Sequence, residues 1–262
     1  MILIFLSLIF LCFGSLSSMM IYRLPLMQDD DSKINLFFPR SHCVSCNKTI
    51  STANLIPVIG FLFQKGKCSF CKTPISPMYP LNELLHLLVG VFLYFIFGLN
   101  IQLLFAYFIF FNFFILFVLD LKYFLLPFWL NLGIVLIGFV AIGVYEVFTI
   151  STLGFYQFYI SLAGLLVGFS ILWLINAFYK LIKGVDGIGG GDFILLSSIG
   201  SMVGIFALPF VVLLGSLSAL LIYLLKEKNS SKEIPLGSGF ILGFLLYCFM
   251  NYFELLQSYM VY

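Results

Sequence analysis

The chain is 262 residues long, 62% apolar and 9% charged, with a formal net charge of +2. A water-soluble domain of this size carries about 25% charged residues, so a large soluble fold is excluded; the net charge decides nothing about nucleic acid, and no nucleic-acid partner is expected. The composition is that of an all-α polytopic membrane protein whose main partner is the lipid bilayer.

Met1 to Tyr22 is an apolar run without a positively charged leading segment, and it reads as a first, uncleaved transmembrane helix. The competing reading is a secretory signal, with Gly14, Ser15, Ser17 and Ser18 imitating a cleavage site. A lipoprotein signal at Cys12 is disfavoured by the bulky Phe10 and Leu11 before it.

Arg23 to Pro80 is the long polar segment and holds seven of the thirteen basic residues. Apolar runs follow at about 81–98, 101–121, 127–148, 156–181, 193–207, 208–226 and 236–256, each near the ~20 residues a helix needs to cross a bilayer. With the first, they predict about eight transmembrane helices. The 193–207 run is short and 208–226 opens beside Pro209, so these two read as a hairpin or tilted pair. The expected domains are a first helix at 1–22, a loop domain at 23–80 and a seven-helix membrane core at 81–262.

Placing the polar segment inside puts Lys122, Lys180, Lys183, Lys226, Lys228 and Lys232 inside as well, while the outer connections carry no basic residue. All the positive charge then falls on the cytoplasmic face and both termini fall outside. Asp29 to Asp31 reads as a solvated acidic loop.

Cys43-Val44-Ser45-Cys46 and Cys68-Ser69-Phe70-Cys71 are two C-x-x-C knuckles with 21 residues between them. Four thiolates from two knuckles make a closed tetrahedral site, so Cys43, Cys46, Cys68 and Cys71 predict a structural Zn2+ that supplies folding free energy to a small polar insert. Two disulfides are the alternative, disfavoured in a reducing cytoplasmic loop. His42, beside four available cysteines, reads as a surface residue; Cys12 and Cys248 lie in spans and read as packing residues.

Asp120 falls at the cytoplasmic end of the third span, and Asp192 opens the sixth on the same face after Gly187-Ile188-Gly189-Gly190-Gly191. An ionisable side chain at a membrane helix is costly and marks a candidate functional site. Two adjacent carboxylates of which one keeps its proton can run peptide hydrolysis. The ionised acid takes a proton from water, the water attacks the scissile carbonyl, and the partner protonates the developing oxyanion. No catalytic metal is required. The bland reading stands beside it, in which Asp120 pairs with Lys122 or caps a helix and Asp192 merely complements a helix N-terminus. Gly189 and Gly191 are candidates to admit a substrate backbone, Glu83 is a candidate helper on the same face, Asp186 reads as a surface acid, and His86 reads as internally packed.

These residues together resemble the type IV prepilin peptidases, membrane aspartic proteases of the GxGD group. The resemblance runs from Gly14-Ser15 with Tyr22-Arg23-Leu24-Pro25, through Pro39-Arg40-Ser41-x-Cys43-x-x-Cys46, Asn54-x-Ile56-Pro57, Gly66-Lys67-Cys68-x-x-Cys71 and Tyr79-Pro80-x-x-Glu83-Leu84. It continues in Leu119-Asp120-Leu121 with Leu125-Leu126-Pro127, in Gly189-Gly190-Gly191-Asp192-Phe193, and in Ile234-Pro235-x-Gly237. It implies catalytic roles for Asp120 and Asp192, and cleavage of prepilins or pseudopilins after a glycine at the cytoplasmic face of the bacterial inner membrane. It also implies, for many members, N-methylation of the new N-terminus with S-adenosylmethionine. The chain departs from the family's habit at Phe128, where an acid or amide is common, at Ile194, where Lys is common, and at Ser17 or Ser18, where the opening motif has Asn.

Two other classes compete. A proton-coupled carrier would use the acids as a relay, but they sit at helix ends and no inverted repeat is evident. A catalytically silent assembly scaffold for pilus or secretion machinery would bind the same substrates without cutting them.

Overall fold

A computed structural model of the chain describes residues 1–28, 34–149, 153–225 and 233–260, with side chains described outside 141–149, 153–155 and 252–260. The apolar runs are helical, as they must be where hydrocarbon offers backbone groups no partner but one another. They are α1 (Ile2–Leu26), α3 (Met78–Phe97), α4 (Ile101–Tyr123), α5 (Phe128–Thr149), α6 (Leu153–Lys183), α7 (Gly190–Leu225) and α8 (Leu236–Met260), with a short α2 (Ile59–Phe63) inside the polar insert. Among the described residues there is no strand. Within α1, α3, α4, α6 and α7 there are stretches long and apolar enough to cross a bilayer, and α5 and α8 are apolar over Phe128–Val140 and Leu236–Asn251.

The two runs expected at 193–207 and 208–226 are joined in α7, and the break lies at Gly204 rather than beside Pro209. Gly204 sits at φ 76° and ψ 172°, which is not helical. Pro209 has no N–H to offer the preceding turn, and the kink falls where a glycine takes a positive φ without cost. Counting α7 as two helices gives eight apolar helical segments among the described residues, the number expected.

The chain forms two compact units, Met1–Phe111 and Asn112–Tyr262. In the first, α1 and α3 touch through glycines: a Cβ on Gly14 would lie 2.5 Å from the Glu83 Cα, and one on Gly90 2.3 Å from the Phe10 ring. Asn82 Nδ2 donates to Ser17 Oγ at 2.9 Å and Ser18 Oγ at 2.7 Å, joining the same two helices. Phe10, Phe13, Tyr107 and Phe111 stack nearby, with His86 fully buried against Phe110 and bonded through Nδ1 to the Asn82 carbonyl at 3.0 Å. The internal role expected of His86 is the one observed.

The polar insert is organised by two knuckles built alike. Cys43 N–H donates to the Lys48 carbonyl and Asn47 N–H to Cys43; in the second copy Cys68 N–H donates to Thr73 and Lys72 N–H to Cys68, at 2.8–3.0 Å throughout. Ile50 on Ser41 and Ile75 on Gly66 close each copy. Asn47 and Lys72 take the same left-handed conformation, φ 56° and 61°. Arg23, at the end of α1 and only 6% exposed, fastens the insert by donating to the carbonyls of Asn35, Leu36 and Pro39.

In the second unit α7 is the central element. Gly164 of α6 and Gly200 of α7 face each other so closely that a Cβ on either would lie about 2 Å from the other's carbonyl oxygen. Gly215 of α7 meets Gly239 and Gly243 of α8 in the same way. Small residues let helix backbones approach where lipid supplies no hydrophobic force between them, and this brings the N-terminal ends of α7 and α8 to the C-terminal end of α4.

Candidate active site

Asp120 lies in the last turn of α4 and is 3% exposed. Its Oδ2 accepts the backbone N–H of Ser238 at 2.5 Å and the Ser238 hydroxyl at 2.7 Å, both from the first turn of α8. The Ser238 hydroxyl also lies 3.3 Å from the Phe117 carbonyl, and Ser238 is fully buried. After Asp120 the chain leaves the helix at Phe124, whose φ is 51°, and runs to Pro127 before α5.

That short link carries Leu126, which seats three chain segments together. A Cβ on Gly191 would lie 2.8 Å from Leu126 Cβ, and one on Gly237 would lie 2.8 Å from Leu126 Cδ1 and 3.1 Å from the Asp120 carboxyl carbon. Both glycines are therefore places where one segment rests on another. A Cβ on Gly190 would meet nothing within 4 Å, and one on Gly189 would meet only the Asp192 Oδ2, at 3.3 Å.

Asp192 stands in the first turn of α7. Its carboxylate interacts electrostatically with that of Asp120 and faces the backbone N–H groups of Gly189 and Gly237. Asp192 Oδ1 is buried and makes no hydrogen bond. The two aspartates, 72 positions apart in the sequence, thus meet at one place where two helix N-termini present N–H donors to negative charge. Glu83, in the first unit, is 7% exposed and accepts the Val58 N–H at 2.6 Å, which ties the start of α3 to the insert.

The glycine loop ahead of Asp192 is held by a residue that sequence patterning did not single out. Asn176 of α6 is 8% exposed. Its Oδ1 accepts the N–H of Gly187 at 2.8 Å and of Ile188 at 3.0 Å, and its Nδ2 donates to Asp186 Oδ1 at 2.9 Å. Lys180 Nζ donates to Asp186 Oδ2 at 2.8 Å. These two donors, Lys180 foremost, hold the Asp186 carboxyl below the usual carboxylate range. Asp186 is the surface acid expected, with the added part of bracing the loop. Ser238 was also missed, although the Ile234-Pro235-x-Gly237 motif directly before it was the available signal. An asparagine in a membrane helix was the signal for Asn176, since a buried amide must find partners.

The four cysteine sulfurs lie within 4.8 Å of one another, with Cys43 Sγ and Cys71 Sγ 3.7 Å apart. They converge on one point rather than pairing off, and four thiols from two identical turns are the donor set of a closed tetrahedral metal site. The peptide N–H groups of Ser45 and Cys46 pull the Cys43 thiol down to about 6. The Lys48 N–H favours the Cys46 thiolate too, yet desolvation and the three neighbouring thiols push it up to about 11. His42 stays outside the cluster, with Nδ1 3.0 Å from the Arg40 carbonyl.

A helical, multi-pass membrane protein with paired carboxylates at its helix ends and a cluster of four cysteines able to hold a metal ion is the class that fold and site define. Residues 8–97 match the bacterial peptidase A24 N-terminal domain, and residues 106–224 match the type IV leader peptidase family. The chain is 36% identical to a prepilin leader peptidase/N-methyltransferase of Klebsiella pneumoniae, over 82% of this chain and 91% of that one. It is 32% identical to one from Aeromonas hydrophila, over 89% and 87%, and 30% identical to one from Vibrio cholerae, over 94% and 96%. No solved structure gives a significant match. The chain belongs to the type IV leader peptidase family and is a membrane peptidase.

Proposed function

We propose that the chain cleaves the leader peptide from type IV prepilins or pseudopilins, with Asp120 and Asp192 as the acid–base pair. The observation that carries this reading is their electrostatic contact at a site furnished by the N-termini of α7 and α8. One carboxylate takes a proton from water as the water adds to the scissile carbonyl. The other protonates the oxyanion; as the C–N bond breaks, the first passes the proton it took from water to the leaving amine and the second recovers its own from the diol. Asp192 Oδ1, a buried acceptor without a hydrogen bond, is the atom left to hold the attacking water or the transferred proton.

Gly189, exposed beside the Asp192 carboxylate, is the point at which an extended substrate backbone passes, and Gly191 serves by letting Leu126 seat behind it. Cleavage after a glycine fits such a site, since that substrate residue brings no side chain to clash. Glu83 is assigned to substrate binding as part of this proposal; within its own unit it accepts the Val58 N–H. The cysteine cluster carries Zn2+ as a structural ion, and the membrane core is the part after residue 80. The protein lies in the bacterial inner membrane with this site at the cytoplasmic face and both termini outside. The double name of its relatives extends to a second step, methylation of the new N-terminus from S-adenosylmethionine.

Purified chain in detergent, incubated with a prepilin and followed by N-terminal mass spectrometry, tests the reading. New N-termini after a glycine, absent with Asp120→Asn and with Asp192→Asn, are expected; turnover by either variant ends the assignment. Added mass of one methyl group on the new N-terminus reports the second step in the same spectrum. Ion flux in vesicles without cleavage identifies a carrier, and binding without cleavage identifies a scaffold.

A further inference from the structure

The insert carries a set of basic and apolar residues to which the proposed proteolysis assigns no part. From Ser32 to Asn82 the sequence has six basic residues and no acidic one. A tetrahedral divalent ion on four thiolates leaves two negative charges, so the insert keeps a positive excess even with its metal bound.

Three of these lysines, Lys65, Lys67 and Lys72, line one cavity of about 380 Å³ together with Phe63, Gln64 and Ser69. Directly before them, α2 exposes an apolar face: Ile59 is 46%, Leu62 64% and Phe63 80% accessible, at the i, i+3, i+4 spacing of one helical side. Such residues on a water-facing module would be a liability. Their depth gives the reason. Val58, directly before α2, donates its N–H to Glu83 in the second turn of the α3 span, so α2 is held level with the end of a membrane helix.

We propose that this face of the insert is an interfacial binding site for an anionic phospholipid. The headgroup phosphate sits among Lys65, Lys67 and Lys72, while Leu62 and Phe63 lie against the acyl chains. Charge complementarity and the placement of the apolar face at membrane level both select this occupant, since a soluble acidic peptide has no use for Leu62 and Phe63. Each basic residue at a membrane surface favours anionic lipid by about fivefold.

The test uses the full chain, with Phe63→p-benzoylphenylalanine, in nanodiscs of equimolar phosphatidylcholine and phosphatidylglycerol. After photolysis, mass spectrometry reads which lipid is attached. Phosphatidylglycerol adducts should exceed phosphatidylcholine adducts by about fivefold or more. The ratio should fall towards one with Lys65, Lys67 and Lys72 all changed to Gln, and be kept with all three changed to Arg. Metal content per chain, unchanged in both variants, shows that the insert still folds. Adducts at the bulk lipid ratio, or a ratio that the Gln variant leaves unaltered, overturn the proposal. So does loss of enrichment with inorganic phosphate but not with chloride of equal ionic strength, which identifies a free-anion site. Lack of any lipid adduct at Phe63 puts α2 in water and overturns it as well.

Discussion

Ser238 offers two donors to a single oxygen of Asp120, its backbone N–H at 2.5 Å and its hydroxyl at 2.7 Å. The N–H belongs to the start of α8 and persists whatever the side chain is, whereas the hydroxyl belongs to this residue. Ser238→Ala therefore removes one of the two restraints that Ser238 places on a buried carboxylate. A hydrogen bond to a charged group contributes about 1.5–3 kcal/mol. If Asp120 acts in catalysis, kcat should fall about 10- to 100-fold while KM stays nearly level. Steady-state kinetics on a prepilin checks this, and an unchanged kcat would show that the hydroxyl does not position Asp120.

Gly237 stands where the same two helices meet. A methyl group there would press on Leu126 Cδ1 and on the Asp120 carboxyl carbon, at 2.8 and 3.1 Å. Displacing a reacting group by about 1 Å costs on the order of 100-fold in rate. Gly237→Ala should reach that loss with little change in expression or thermal unfolding. Gly190→Ala, where a Cβ meets nothing within 4 Å, is the matched control and should retain most of the activity.

Asn176 closes the glycine loop through three hydrogen bonds from one buried amide. Asn176→Ala leaves the Gly187 and Ile188 N–H groups without that partner, at about 1–3 kcal/mol for a buried donor. Hydrogen exchange at 184–189 should accelerate, and cleavage should weaken in parallel because Asp192 follows this loop directly. Unaltered exchange would mean that the loop is held by other means.

The pH dependence of the loop follows from Asp186. Its carboxyl is held below its ordinary value of 3.8, first by Lys180 and then by Asn176. A carboxyl depressed in the folded state contributes stability above the unfolded value and loses it as pH falls through the folded one. Protection of 184–189 should thus be level near neutral pH and decline only in strong acid, beginning below about pH 4. Lys180 and Asp186 are 57% and 56% exposed, so the effect is modest and weakens with salt. Asp186→Asn should flatten the acid limb. A decline beginning well above that range would assign the loop's titration to another group.

Metal removal separates the insert from the membrane helices. Elemental analysis should find one zinc per chain, and Cys43→Ser or Cys71→Ser should lower it sharply. Stripping the metal with a strong chelator should open 41–50 and 66–75 to limited proteolysis while far-ultraviolet helicity persists, because the helices satisfy their own backbones. Protease resistance after complete metal loss would show that the knuckles fold without an ion.

The sequence by itself determined the membrane class, the apolar runs, the two cysteine knuckles and the two unusual acids. Each of these is a local property: hydrophobic length, ligand spacing, or a charge where charge is costly. It also placed His86 inside and Asp186 at the surface. What it could not fix was the break in α7, because Pro209 announces a disturbance but the chain bends where Gly204 can take a positive φ. Nor could it show that Asp120 is held by Ser238, 118 positions away, or that Gly191 and Gly237 share Leu126 as their neighbour. Those relations exist because small residues along α6, α7 and α8 let the helices approach closely and bring distant chain ends together, and only tertiary packing decides which ends meet.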